Sequence, residues 1–378
     1  MSQRSRLSTG SHPVLQQGLS RRHMLGLAGV ALTAGSVGLG TIGLGTGRAR
    51  AAGTGQLNIY SWPDYFSKES LAAYAKQSGV TPNISTYDSN ETMFAKLNSP
   101  AGAGFDIIIP SSGWIEQLAA KKLVQPLDHS RLNLASLDQN LLNRDYDPGN
   151  KYSIPKDWGL LGIVYDPAVC GEIKTWQDVF DAGVKPGVSG KIRLSDTGWE
   201  TIGPQLWIEG KDWNTVDDAA IRAAGEKVKA FAKNVKTLAS FDASAVATGS
   251  IVLAECNQAA ARRAIMQNPK LKWVVPGPHS ELWVDSYAVT ANAPNLDQAY
   301  DFLAYQLRPE VQLSETEYLG FPAALAGLRE KISATTPYGD LIFGGKDVDF
   351  AQLTSFVVNP ATVNTYLQMQ TEIQAAAG

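Results

Sequence analysis

From residue 56 onward the hydrophobic pattern switches repeatedly between short apolar runs and helical spacing. "QLNIYSW" (56–62) and "VTPNISTYD" (80–88) read as strands, and "FDIIIPSS" (105–112) is a continuous apolar run ended by Pro110, as a buried parallel strand would be. Between and after them, "FSKESLAAYAKQSG" (66–79), "SNETMFAKLNS" (89–99) and "GWIEQLAAKKL" (113–123) carry apolar residues at helical spacing, with Ser capping candidates and a Gly stop. A second series follows, with strands near 159–165, 190–195, 251–255 and 271–275 and helices near 175–182, 199–209, 217–234 and 257–267. "LWVDSYAVT" (282–290) returns to a strand pattern before a helix at 295–306.

This βαβαβα order predicts an α/β protein of two lobes, each a doubly wound, parallel sheet. The chain is expected to cross between the lobes near 155–160 and again near 280–285. The resulting division is 52–157 with 282–325 for one lobe and 158–281 with 326–378 for the other. Ligands of such sheets sit beyond the carboxyl ends of the strands, so a cleft between the lobes is expected there. Trp62 and Tyr65 follow the first strand, while Ser111 and Trp114 follow the third.

Residues 1–51 differ from the rest: they hold six basic residues, no acidic ones, and an uncharged, glycine-rich stretch from Leu25 to Gly47. "SRRHML" (20–25) before that stretch and "ARA" (49–51) after it read as a removable export signal of the twin-arginine type. An uncleaved anchor is the competing reading, because such a length could span a bilayer. Removing six of the 33 basic residues and none of the 36 acidic ones takes the net charge from −3 to −9. An acidic exported chain argues against nucleic acid as a partner and suits a cationic ligand. The two cysteines, Cys170 and Cys256, are free to pair or not in an oxidising compartment.

Beyond the leader only His129 and His279 are available as imidazoles, neither at metal-ligand spacing, and no nucleophile-elbow, zinc-protease or phosphate-loop motif is present. No metal, cofactor or catalytic group is therefore expected. Aromatic residues instead stand beside carboxylates. "SWPDYF" holds Trp62, Asp64 and Tyr65, and "SDTGWETIG" (195–203) holds Asp196, Trp199 and Glu200. "AECNQA" (254–259) holds Glu255, and "LWVDSY" (282–287) holds Trp283, Asp285 and Tyr287 on one side of a strand. A ring face and a carboxylate together suit an organic ammonium, through cation–π attraction of roughly 0.5–2 kcal/mol and a charge-assisted hydrogen bond. Structural roles compete at each place. Asp64 and Asp196 could cap the following helices, Glu200 could answer a helix dipole, and Trp283 and Tyr287 could be core.

These stretches, with "STYDSNETMFAKL" (85–97), "YSIPKDWGLLGIVYDP" (152–167) and "YLGFPAAL" (318–325), resemble the spermidine/putrescine-binding periplasmic proteins of ABC importers in order and spacing. The resemblance implies a two-lobed binding protein that does no chemistry. By position it places Trp62 and Tyr65 along a polyamine's methylenes, Ser111 on a cleft serine, Trp283 and Asp285 on the stacking and amine-binding pair, and Glu200 on an acid that grips a terminal amine. Asp196 and Glu255 are further candidates. Four positions depart from that pattern: Thr197 replaces an acid, Gly113 a tyrosine, Cys256 a tryptophan and Phe321 a tyrosine. They leave the importer role in place and the ligand open among polyamines, opines, aminophosphonates and other amines.

The expected protein is thus a periplasmic, monomeric solute-binding protein. It captures a small amine-bearing solute and delivers it to a membrane ABC permease after export by the twin-arginine machinery. A periplasmic enzyme using Glu200 and Asp285 as acid and base, or a sensor presenting its ligand to a receptor, are the alternatives. If the leader works as read, replacing Arg21 and Arg22 by Lys keeps the protein in the cytoplasm on cell fractionation; undiminished export of the double variant would assign the signal to the general secretory route.

Overall fold

The structure is a computed structural model that describes residues 55–346 and 348–377. The leader of residues 1–51 lies outside the described residues. Ten strands are hydrogen-bonded into one curled sheet: β1 (Leu57–Ser61), β2 (Pro82–Thr86), β3 (Ile107–Ile108), β4 (Ile154–Tyr165), β5 (Ile192–Arg193), β6 (Val235–Thr237), β7 (Leu253–Asn257), β8 (Lys272–Val274), β9 (Ser280–Val289) and β10 (Leu353–Thr354). Their order is β2-β1-β3-β9-β4-β7-β5-β6, with β8 on β4 and β10 on β9.

Each flank of the sheet is a parallel trio, β2-β1-β3 on one side and β7-β5-β6 on the other. The centre departs from the expected all-parallel order. β9 runs antiparallel to β3 and to β4, and β4 antiparallel to β7 and β8. The reason is topological: β4 carries the chain out of the first flank and β9 carries it back, so the two cross in opposite directions. Residues 154–160 of β4 pair with β9, and residues 161–165 with β7. One twelve-residue strand, buried along its whole length, therefore belongs to both flanks.

Local sequence explains the helix starts. Ser67 caps the helix Lys68–Ser78 by accepting from Ser70 N, and Gly79 ends it at φ 75°. Ser89 caps Asn90–Leu97, and Thr175 forms a capping box with Asp178 ahead of Trp176–Gly183. Asp64 is not a cap: it lies in the preceding turn at φ 53°. Neither is Asp196, since Thr197 occupies the N-cap position of Gly198–Ile208, without a side-chain bond. The C-terminal region adds helices the hydrophobic pattern had not resolved: Pro309–Leu319, Leu328–Thr335, Gly339–Ile342 and Val363–Ala377. The last of them is anchored by Tyr366, whose hydroxyl donates to Trp213 O at 2.6 Å.

Trp176 and Trp213 are fully buried around that second flank, while Phe66, Tyr74 and Phe302 pack beside the first. Cys170 and Cys256 are both buried and free. No helix of the described residues is long and apolar enough to cross a membrane. Gly162 of β4 has no room for a side chain: an added Cβ would lie 2.5 Å from the Trp273 ring and from Val274 O. Gly162→Ala should therefore lower stability by about 1–3 kcal/mol, the usual cost of overpacking, read as a drop in melting temperature; an unchanged melting point would show that β8 yields freely.

Candidate functional site

A cavity of about 650 Å³ opens where the carboxyl ends of β1 and β3 face the helix Gly198–Ile208 across β9. That volume suits a small organic molecule. Seven of the nine candidate residues line it: Trp62, Tyr65, Ser111, Trp114, Glu200, Trp283 and Asp285. The other two do not. Asp196 is largely exposed and sits 3.8 Å from Arg193 Nη2. Glu255 is buried beneath the wall, where its carboxylate accepts Ser195 N–H at 2.7 Å. Tyr287, the third residue of its strand face, is core: its hydroxyl meets Gln306 Oε1 at 3.3 Å.

Asp285 is the centre of one wall. It is 6% exposed and accepts from Ser111 Oγ at 2.6 Å. Ser111 is itself held by Asn90, whose Oδ1 accepts Ser111 N–H and whose Nδ2 donates to Ser111 Oγ, both at 3.1 Å. Tyr65 points its hydroxyl at two carboxylates, Asp157 Oδ1 at 2.6 Å and Asp285 Oδ2. A phenol has one proton and can donate to only one of them at a time. Lys156 settles the competition for Asp157, bonding its Oδ2 at 2.6 Å and standing 4.1 Å from the Tyr65 ring centre. Asp285 is left as the surplus charge. Burial, and then the neighbouring Asp157, push its carboxyl up to about 7.

Aromatic surfaces flank it. Trp62 packs edge-on against Tyr87 at 4.7 Å and its indole N–H, though buried, has no partner among the described residues. The Trp283 ring lies over Gly159, where a Cβ would come within 2.1 Å of it, and meets Phe321 edge-on at 5.0 Å. Part of the opposite wall was not foreseen. Trp199 stacks on Phe356 at 4.6 Å and 5° between planes, and both line the cavity. Phe356 belongs to a late segment that crosses Gly113: Val358 N–H donates to Gly113 O, and a Cβ on Gly113 would lie 2.6 Å from Phe356 O. The segment occupies the space a larger side chain at 113 would need. Cys256 faces the core with Val164 and Ala260, so it adds nothing to the wall.

The floor beyond Trp283 is acidic. Glu200, half-buried, accepts from Ser195 Oγ, and Glu281 stands beside it. Burial raises Glu200, Glu255 and Glu281 alike, Glu255 to about 8. Arg193, the cation nearest to them, donates instead to Glu255 O at 2.5 Å and to Ala239 O at 2.8 Å. Among the described residues no group of three or more ligating side chains is arranged to hold a metal.

The family model for bacterial extracellular solute-binding proteins matches residues 69–337. The chain belongs to that family. It is 31% identical over 298 residues to the spermidine/putrescine-binding periplasmic protein of Salmonella typhimurium, covering 78% of this chain and 84% of the relative. It is 29% identical over 362 residues to the putrescine-binding periplasmic protein PotF of Escherichia coli, covering 90% and 95%. Among solved structures, the spermidine/putrescine transporter substrate-binding protein PotD of Streptococcus pneumoniae superposes with a TM-score of 0.73 at 26% identity, over 85% of this chain and 99% of that one. The fold of this solute-binding protein is accordingly the two-lobed one of the periplasmic binding proteins.

The buried acids set a pH dependence for the solute-free protein. A carboxyl whose folded value is raised holds a proton that the unfolded chain releases at about 4. Between about 4 and the folded value the native state binds more protons, so its stability falls as pH rises through that window. Asp285→Asn and Glu255→Gln should each flatten the decline in melting temperature, Asp285→Asn between pH 4 and about 7 and Glu255→Gln up to about 8. Parallel curves for wild type and both variants would contradict the assignment of these two carboxyls as the raised groups.

Proposed function

We propose that this chain is the exported, solute-capturing component of an ABC importer and that its cavity holds a small organic amine as a cation. The observation that carries this reading is the uncompensated carboxylate of Asp285, held by Tyr65 and Ser111 between the indoles of Trp62 and Trp283. Lys156 is committed to Asp157, which leaves a ligand ammonium as the natural partner of Asp285. The relatives named for spermidine and putrescine support the same chemistry.

The two lobes are assigned to 52–157 with 282–325 and to 158–281 with 326–378, closing about β4 and β9 when the ligand bridges them. The protein acts as a monomer, reaches the periplasm through the twin-arginine machinery and passes its cargo to a membrane permease. An acid–base reaction between Glu200 and Asp285 is not favoured, since the relatives bear the names of binding proteins and Ser111 and Tyr65 hold Asp285 as a receptor for charge.

The test is calorimetry with putrescine, spermidine and agmatine on wild type and Asp285→Asn, with the melting temperature of each unliganded protein. Ligand at a hundred times its dissociation constant should stabilise the wild type by about 2.7 kcal/mol. Stranding an enclosed ammonium without its partner costs about 3–5 kcal/mol, so the variant should bind at least about a hundredfold more weakly. Its unliganded melting temperature should not fall, because a surplus buried charge has been removed. Unchanged affinity with a lowered melting point would make Asp285 a structural residue and defeat the reading.

A further inference from the structure

Glu281 is a charged cavity residue that no motif singled out. It begins the face of β9 that continues through Trp283 to Asp285, and all three line the cavity. It is 5% exposed, and its Oε2 has no hydrogen-bond partner among the described residues. The residue stands in the cavity wall with its carboxyl closed off beside Glu200, and an unsatisfied buried carboxyl oxygen there calls for an explanation. Its nearest charged neighbour makes the point sharper. Glu200 reaches it from the facing helix, Glu255 lies behind on β7 and Asp285 follows on its own strand. Arg193 on β5 donates to Glu255 O and Ala239 O, with Asp196 beside it; its charge favours ionisation of Glu200 and Glu255 and does not figure among the influences on Glu281.

We propose that Glu281 is a ligand-contacting, specificity-determining residue: with Glu200 it seats the second cationic group of a short dicationic amine and gives up its proton to solvent when that group arrives. The proposal rests on the reading of the cavity as an amine site and names the second half of the ligand. Residues 281 and 285 are separated by about 13 Å of strand at the usual rise. The two carboxyls therefore stand on one strand face on either side of Trp283, as the two ends of an alkyl diamine lying along that ring would require.

The proton follows from the same crowding. Two adjacent carboxyls enclosed together do not both ionise without a cation, and burial with the nearby Glu200 holds the Glu281 carboxyl well above the usual range. In the empty cavity Glu281 is therefore the protonated member, donating to Glu200. When an ammonium enters, the Glu281 O–H bond breaks, the proton passes to buffer, and the ammonium keeps its own protons and binds two carboxylates.

Calorimetry of putrescine on the full chain at pH 6.5 and 8.0, in phosphate and in Tris, measures protons released from the dependence of the heat on buffer. Asp285 also sheds protons, so the count that matters is the difference between wild type and Glu281→Gln, a near-isostere of the protonated acid. The expected result is about one proton fewer from the variant at pH 6.5, a flatter dependence of affinity on pH, and putrescine binding at least tenfold weaker at pH 8.0. 1-Aminobutane, with one ammonium to place against Asp285, should bind both proteins within about threefold. Glu200→Gln provides a reciprocal variant, which should lose the same proton. Putrescine binding that is alike in wild type and Glu281→Gln in strength and in proton count would overturn this inference alone. A wild-type protein that binds neither amine would overturn it together with the amine site itself.

Discussion

The site turns on a shortage of protons and cations around buried carboxylates. Tyr65 has one proton for two acids, and Lys156 neutralises Asp157. A second set, Glu200, Glu255 and Glu281, is enclosed with Arg193 turned mainly to main-chain oxygens. Charges of one sign enclosed in a low dielectric repel more strongly than in water, and the protein relieves them by holding protons. An external cation relieves them better. On the proposed reading, the same negative excess that weakens the empty protein is the driving force for capture, with the aromatic walls keeping water away from the pairs that form.

The fold is what brings these acids together. Asp285 and Glu281 lie on β9, Asp157 on β4, Glu255 on β7 and Glu200 on the first turn of the facing helix. β4 and β9 pass between the two flanks and carry Asp157, Glu281 and Asp285, while Glu255 and Glu200 belong to the second flank. A ligand that contacts Asp285 and Glu200 together ties the β9 wall to a helix of the other flank. On the proposed reading, such a ligand would couple binding to closure of the lobes.

Much of this was legible in the sequence because the relevant residues follow strand ends or share a strand face. Trp62, Tyr65, Ser111 and Trp114 stand just past β1 and β3, and Trp283 and Asp285 alternate on β9. Glu281 was missed although the same alternation reaches it: the strand begins at Ser280, two residues before the run "LWVDSY" suggested. The first half of β4 was seen as a crossing and not as a strand, since Pro155, Lys156 and Asp157 look unlike a buried ladder; their charges are tolerable there only because they pair. Phe356 and Val358 carry no local signal at all. They reach the cavity from a segment remote in sequence, through the space Gly113 leaves free. Asp196 carried a promising motif and points to solvent, because the helix turns Glu200, not Asp196, toward the cavity.

The central claim is that the enclosed carboxylates receive an organic cation, and the most direct test is to identify what the cell loads into the cavity. Protein exported natively and purified without denaturation should release, on unfolding, a stoichiometric small amine detectable by mass spectrometry in positive mode. Stoichiometric recovery of an uncharged sugar or of an anion in its place would contradict the account.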